Sequence, residues 1–127
     1  TDLVELLLAS SEGTLDDMRL IWRPGSAVCV IMAAAGYPGS FQKGVPIHGL
    51  MEVLQMENTK VFHAGTAMSE NQVVTSGGRV LGATSWASDL AGARSRAYEA
   101  VGKIKFAGAH YRRDIAANAA REAFDTI

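Results

Sequence analysis

Four consecutive residues, Ser76-Gly77-Gly78-Arg79, combine two groups that often bind anions in proteins. Glycines leave backbone N–H groups accessible, and a guanidinium binds phosphate or carboxylate through two parallel hydrogen bonds. The pattern therefore indicates a site for a small anion. A plain hairpin turn followed by an exposed arginine explains the same residues without a ligand, and both interpretations stay open at this point.

A second glycine-rich segment, residues 36–49, also contains residues able to contact a ligand. Its prolines restrict the backbone and its glycines permit sharp bends, so its path is expected to be well defined. Lys43 and Tyr37 offer a cation and a phenol, although a structural connection around a sheet edge is the alternative. His63 lies beside a glycine turn at a strand end, where ligands often approach, but a structural histidine is the more common case.

Other catalytic and metal-binding patterns are absent from the sequence. The three histidines, His48, His63 and His110, lack metal-ligand spacing, and there is no Cys-x-x-Cys pair. A G-x-S-x-G nucleophile motif and a Walker phosphate loop are also missing. The single cysteine, Cys29, lies in an apolar run and is expected to be a buried, unreactive thiol. The residues favour binding of a small anion over a self-sufficient catalytic set.

Composition sets the class of protein. The chain has 127 residues, 48% of them hydrophobic, and a formal net charge of −1. This length suits one domain with its own core. The near-neutral charge gives no reason to expect nucleic acid or a membrane surface as a partner. No apolar run is long enough to span a bilayer, and no signal peptide is evident. Because the first residue is Thr1 and not methionine, we expect a piece of a longer protein or a processed product.

Apolar segments predict the strands that position these loops. Residues 27–35 are apolar on both faces and predict a central strand buried on both sides, directly before the second glycine-rich segment. Residues 60–64 predict a short strand that ends at a glycine turn. Residues 72–75 and 79–86 flank the paired glycines, which predicts that these two strands pair as a hairpin.

Helices are predicted at both ends of the chain. Residues 1–12 have leucines on one face, Thr1 as a possible cap, and Gly13 to end the helix. Residues 90–105 form the clearest amphipathic pattern, with Ser88 or Asp89 as the cap, and Asp114 can cap a last helix over residues 115–124. These elements predict a single α+β domain: a small, mainly antiparallel sheet or open barrel with an N-terminal helix and C-terminal helices.

Four stretches occur in an informative order: MAAAGYPGSFQKGVPIHG (32–49), VFHAGTA (61–67), VVTSGGRVLGAT (73–84) and KFAGAHYRRDI (105–115). Together they resemble the C-terminal domain of glycinamide ribonucleotide synthetase (phosphoribosylamine–glycine ligase), a family of the ATP-grasp superfamily with a hybrid-motif-like C-domain. Residues 1–7 resemble the helix that closes that family's ATP-grasp region. The resemblance covers nearly the whole chain, and four ordered motifs are more specific than any single glycine pattern.

The resemblance implies a part in the second step of purine synthesis. That family joins glycine to 5-phosphoribosylamine with ATP and Mg²⁺, through a glycyl phosphate. Its N-terminal domain, ATP-grasp lobes and metal-binding carboxylates would all precede Thr1. We therefore expect residues 1–127 to be the C-terminal domain, with residues 1–13 the tail end of the ATP-grasp region. The chain alone is expected to bind neither ATP nor a metal ion and to be inactive.

The resemblance also implies which residues face the active-site cleft of the complete enzyme. They come from the two glycine-rich loops and the short strand between them. Arg79 is the first candidate for an anionic group of the substrate, because guanidinium recognises phosphate or carboxylate in bidentate fashion. The implied substrate-binding set is Arg79, Gly78, Gly77, Lys43, Tyr37, Pro38, Gly39, His63 and Gly65.

Alternative interpretations differ in what surrounds the domain. A free-standing small-ligand-binding or interaction module would keep the fold without the chemistry, and a carboxylase-type ATP-grasp domain would use other substrates. In the favoured interpretation, the partners are the other domains of the same protein and its small substrates, in the cytoplasm. A domain taken from a longer chain is expected to leave the apolar side chains of residues 3–8 uncovered.

Overall fold

The computed structural model describes residues 1–122 and has two open antiparallel sheets there, neither closed into a barrel. The predicted α+β class is confirmed. The helices are α1 (Leu3–Glu12), α2 (Leu50–Leu54), α3 (Leu90–Lys103) and α4 (Ala117–Glu122), and a 3-10 turn covers Leu15–Asp17. The strands are β1 (Ser26–Ala33), β2 (Thr59–His63), β3 (Thr66–Ser69), β4 (Gln72–Thr75) and β5 (Arg79–Ala87).

None of the helices described is long and apolar enough to cross a membrane.

The larger sheet places β5 between β1 and β2, and both pairings are antiparallel. Helix α3 packs on one face of this sheet through small side chains, with Ala93 and Ala97 fully buried. Small residues let the helix axis approach the strands closely, so that the side chains of Val30 and Leu81 fill the space between them. This layer of helix on sheet forms the hydrophobic core.

Strand β1 corrects one prediction. It is an edge strand whose burial alternates: Val28, Val30 and Met32 are buried, whereas Cys29 and Ile31 are exposed. The expectation of a central strand buried on both sides was wrong, and so was the expectation that the Cys29 thiol is buried. The physical reason is that α3 covers only one face, while the residues pointing to the other face are also apolar and so hide the alternation in the sequence.

The predicted hairpin is also wrong. β4 pairs with β3 in a separate two-stranded sheet, and β5 pairs with β1 and β2. The turn of the true hairpin uses Glu70 and Asn71, whose φ angles are +47° and +62°. Two successive residues with positive φ suit the twist of a two-residue hairpin turn. Neither Gly77 nor Gly78 has a positive φ, so these glycines serve close packing and not a hairpin turn.

The N-terminal segment, residues 1–22, contributes no strand to either sheet. Helix α1 packs mainly on the 3-10 turn, and Gly13 ends it at φ +73°, as predicted. Its cap is Asp2, whose Oδ1 accepts the Val4 N–H at 2.7 Å; the predicted cap Thr1 instead accepts the Ile21 N–H at 2.7 Å. The aliphatic side chains of α1 are 54–66% exposed at Leu3, Val4, Leu7 and Leu8, so the expected uncovered apolar surface is present.

The C-terminal elements agree with the sequence in part. Asp89 caps α3, because its Oδ1 accepts the Gly92 N–H at 2.7 Å. Helix α4 covers part of the predicted 115–124 helix, and residues 123–127 lie outside the described part. The Asp114 carboxylate pairs with Arg112 and does not cap a helix. That hydrogen bond holds the pKa of Asp114 below its usual value, so any stabilisation is present above the carboxyl's ordinary pKa and is lost in acid.

Candidate functional site

A cavity of about 690 Å³ opens at the end of the larger sheet. It lies where the loop after β1, the end of β2 and the start of β5 come together. Its walls are mostly backbone and apolar side chains. The lining residues are Ile31, Tyr37, Phe41, Ala64, Gly65, Gly78, Arg79 and Leu81.

Gly65 and Gly77 bring the segment after β2 into contact with the start of β5 at this cavity. The Gly65 N–H donates to the Arg79 carbonyl at 2.9 Å, and the Gly65 carbonyl accepts from Ser76 N–H at 2.7 Å and Gly77 N–H at 3.1 Å. A Cβ on Gly65 would lie 2.6 Å from both the Arg79 oxygen and the Gly77 Cα. Only a residue without a side chain permits this approach. The glycines therefore bring the backbone of the two segments together.

The loop after β1 closes the second wall. The Ala34 N–H donates to the Gly78 carbonyl at 2.8 Å, which attaches the start of this loop to β5. The Tyr37 ring then lies directly over Gly78, where any Cβ would collide with ring atom Cδ2. Gly78 therefore provides the space for the ring. The arrangement explains how the two glycine-rich segments, which are separated by residues 50–75, form one site.

Arg79 supplies the only formal charge among the eight lining residues. Its backbone is held by β5 and by Gly65, while its side chain is exposed. Within residues 1–122, the guanidinium takes part in no hydrogen bond or ion pair. An arginine at the edge of an apolar cavity can bind an anion there through charge-assisted hydrogen bonds.

The structure brings together part of the predicted set. Tyr37, Gly65, Gly78 and Arg79 line the cavity, and Gly77 contacts Gly65 directly beside it. His63 ends β2, and its Nδ1 lies 3.0 Å from Thr66 Oγ1. The remaining predicted residues are exposed on the loop and lie outside the lining: Pro38, Gly39 and Lys43.

Sequence reasoning missed the apolar side of the cavity. Ile31, Phe41, Ala64 and Leu81 were not singled out, because their residue types are those of any core. Ile31 had a usable signal, since strict alternation along β1 would have placed it opposite Val30 and Met32. The candidate site is therefore an apolar cavity with one cation at its edge.

No metal centre accompanies this cavity in the described part of the chain. Residues 1–122 contain no group of three or more His, Cys, Asp or Glu side chains close enough to hold an ion. The cavity lining itself contains no carboxylate, imidazole or thiol. These residues therefore do not fit a magnesium site, and we assign no chemical step of this chain to a metal.

The fold and the cavity define a small α+β domain that presents a glycine-lined, mainly apolar cavity with one arginine at its edge. Residues 27–118 match the family described as "Phosphoribosylglycinamide synthetase, C domain". The chain belongs to this family, and the resemblance inferred from the four motifs is confirmed.

Curated relatives carry the same designation. The chain is 49% identical over 116 residues to a phosphoribosylamine–glycine ligase of Synechocystis, covering 91% of this chain and 27% of that protein. It is 47% identical over 124 residues to a chloroplastic phosphoribosylamine–glycine ligase of Arabidopsis thaliana, covering 96% of this chain and 23% of that protein. The chain thus spans only about a quarter of the length of these relatives.

A solved structure supports the fold independently. The crystal structure of phosphoribosylamine–glycine ligase from Thermotoga maritima superposes with a TM-score of 0.74 at 37% sequence identity. The match covers 88% of this chain and 27% of that chain. The α+β domain described above is therefore similar to one part of a larger solved enzyme.

Proposed function

We propose that this chain is the C-terminal part of an ATP-dependent ligase that joins glycine to 5-phosphoribosylamine in purine biosynthesis. Its cavity would form one wall of the substrate cleft. The observation that carries this proposal is the Arg79 guanidinium, unpaired within residues 1–122, at a cavity that Gly65 and Gly78 make possible, in a chain of this family. The guanidinium would bind a phosphate or carboxylate of the substrate and orient it.

The chemistry of such a ligase assigns a limited role to this domain. ATP would activate the glycine carboxylate as a glycyl phosphate, which the amine of phosphoribosylamine then attacks. The cavity has no acid–base pair for these steps, so its contribution would be to bind, orient and shield a substrate from water. Binding of ATP and Mg²⁺ would belong to the rest of the ligase, and this domain alone would be inactive. A cytoplasmic location is part of the same proposal.

Removing the Arg79 guanidinium tests the site. In the complete ligase, Arg79→Ala is expected to lower kcat/KM by about 10–100-fold, because loss of one charged hydrogen bond costs about 1.5–3 kcal/mol. Steady-state kinetics with each substrate varied in turn would locate the effect. Lys105→Ala is the matched control, since Lys105 is an exposed cation outside this cavity. Equal kinetics for Arg79→Ala and Lys105→Ala would remove Arg79 from the site.

The partner of this domain would be the preceding part of the same polypeptide. The sheet face opposite α3, here called the open sheet face, carries Cys29, Ile31, Phe62, Thr84 and Trp86. Ile31, Phe62 and Trp86 are 45%, 55% and 41% exposed, and the exposed Lys60 lies on the same face. Several exposed large apolar side chains on one face favour an interaction surface.

Two observations favour the preceding part of the same polypeptide, and not a second copy of the domain, as the partner that covers the open sheet face. The chain enters β1 through residues 23–26, which border Trp86 at one end of the open sheet face. Helix α1, just upstream, is uncovered and apolar as well. We infer that the upstream domains cover both surfaces, and that residues 1–13 belong to the ATP-grasp region.

The exposed Cys29 thiol reports on that contact without any substitution. In the 127-residue chain it is expected to react readily with iodoacetamide, and in the complete ligase about tenfold or more slowly, because thiol reactivity follows exposure. Peptide-level mass spectrometry measures both rates. A Met68→Cys variant, on the second sheet and 67% exposed, provides the control that should react in both proteins. Equal reaction of Cys29 in both would favour an independent module.

A further inference from the structure

Two side chains on α3 hold the segment that follows it. Arg94 donates from Nε to the Ile115 carbonyl at 2.9 Å and from Nη2 to the Arg113 carbonyl at 2.8 Å. Tyr98, one helical turn further on, donates from its hydroxyl to the Arg112 carbonyl at 2.8 Å. The same hydroxyl accepts the Ile115 N–H at 3.1 Å.

These contacts replace the partners that a helix or strand would provide. Residues 112–115 belong to no helix or strand, so most of their backbone groups depend on side chains or water; the Asp114 carbonyl, which accepts the Ala117 N–H at 3.0 Å, is an exception. The Arg94 guanidinium lies 4.8 Å from the centre of the Tyr98 ring, which holds the two side chains together. Arg94 and Tyr98 are each only partly exposed. We call this pair the α3 clamp.

The clamped segment continues into the wall of the cavity. His110, two residues before it, pairs with Ala33 at the end of β1 through two backbone hydrogen bonds of 2.8 and 3.0 Å. Gly108 packs against Ala35, where a Cβ would lie 2.5 Å from the Ala35 Cβ. Ala34, the first residue after β1, donates its backbone N–H to the Gly78 carbonyl. Contacts therefore connect the α3 clamp, residues 108–115, the loop after β1, and Gly78.

We propose that Arg94 and Tyr98 are positioning residues for the cavity, acting through the His110–Ala33 pair on the loop that carries Tyr37. This inference rests on the proposed function, because it takes the cavity as a substrate site. Neither side chain touches the cavity. Both set the position of its wall, since a loop anchored at one end only moves over a wider range than a loop anchored at both.

Hydrogen exchange in the complete ligase tests the clamp directly. In Arg94→Lys and in Tyr98→Phe, the Ala34 amide is expected to exchange about tenfold or more faster, because its anchor is loosened. The Trp86 amide, which donates to the Asn58 carbonyl elsewhere in the sheet, is expected to keep its rate. Arg96→Lys is the matched control, since Arg96 lies on the same helix and donates to the Trp86 carbonyl at 3.1 Å.

Kinetics of the same variants test the link to substrate. A positioning role predicts a raised KM for the substrate held by the cavity with kcat nearly unchanged, whereas simple loss of folded enzyme lowers kcat at constant KM. Unchanged Ala34 exchange, or exchange that rises equally at Trp86, would overturn the clamp. Faster Ala34 exchange with unchanged KM would overturn the positioning role if Arg79→Ala does raise KM. If Arg79→Ala also leaves the kinetics unchanged, Arg79 is removed from the site, and the proposed substrate contact of the cavity fails while the clamp is still judged by the Ala34 exchange.

Discussion

Leu81→Ala is expected to lower the free energy of unfolding by about 2–5 kcal/mol, the range for removing a fully buried leucine. Leu81 has no exposed surface and lies in the central strand β5, opposite Met32 on β1 and His63 on β2. Its side chain belongs to the core between the sheet and α3, and the residue also borders the candidate cavity. The neighbouring backbone is held by strands on both sides and cannot close the space left by the missing atoms. The free energy of unfolding should therefore fall, and the cavity that Leu81 borders should change shape with it.

Chemical denaturation of the 127-residue chain measures this effect. Leu54→Ala is the matched control, because Leu54 is 61% exposed on the short helix α2 and should change stability by no more than about 0.5 kcal/mol. An equal loss in the two variants would mean that β5 is not the packed centre of the domain. The difference between the two curves is more informative than either value, since both variants remove the same atoms.

Gly65→Val is expected to cost about 3 kcal/mol, the upper part of the range for overpacking. The obstructing atoms are the Arg79 oxygen, the Gly77 Cα and the Gly77 nitrogen, all within 2.8 Å of a Cβ on Gly65. All three are backbone atoms, so no side-chain rotation relieves the collision. The Gly65 hydrogen bonds to Arg79, Ser76 and Gly77 should be disrupted, which would also displace Arg79 from the cavity.

Gly102→Ala tests whether the loss of stability is specific to the contact of Gly65 with Gly77 and Arg79. Gly102 lies in α3 with no atom near the position of a Cβ, so alanine there should be neutral or stabilising by up to about 1 kcal/mol. Thermal unfolding of both variants, followed by circular dichroism, is sufficient. A Gly65→Val protein as stable as the parent chain would show that the ends of β2 and β5 do not meet as described.

The candidate site is built more from backbone than from side chains. Gly65, Gly77 and Gly78 have no functional groups of their own, yet they decide which segments can touch. Arg79 gains its significance from that junction, because the contacts of Gly65 and Gly78 place it at the edge of the apolar cavity. This is why the two interpretations of Ser76-Gly77-Gly78-Arg79 could not be separated by residue type.

Several local features were predictable from residue types alone. The Gly13 end of α1, the Asp89 cap of α3 and the position of β2 all follow from short-range rules of capping and hydrophobic pattern. The motifs also identified the family. Short elements without a strong pattern were missed, since α2 and β3 contain only five and four residues.

Long-range pairing and coverage of faces were decided by tertiary structure. Residue types alone determined that the chain is an α+β domain of a ligase family and that glycine-rich loops carry its candidate site. They did not determine that β4 pairs with β3 and not with β5, because the energy of strand pairing depends on which strand edges are free in the folded domain. They also left Cys29 and Ile31 ambiguous: an apolar side chain has the same identity on either face of a strand. Only the packing of α3 on one side determines which face of the sheet meets the core and which face stays exposed.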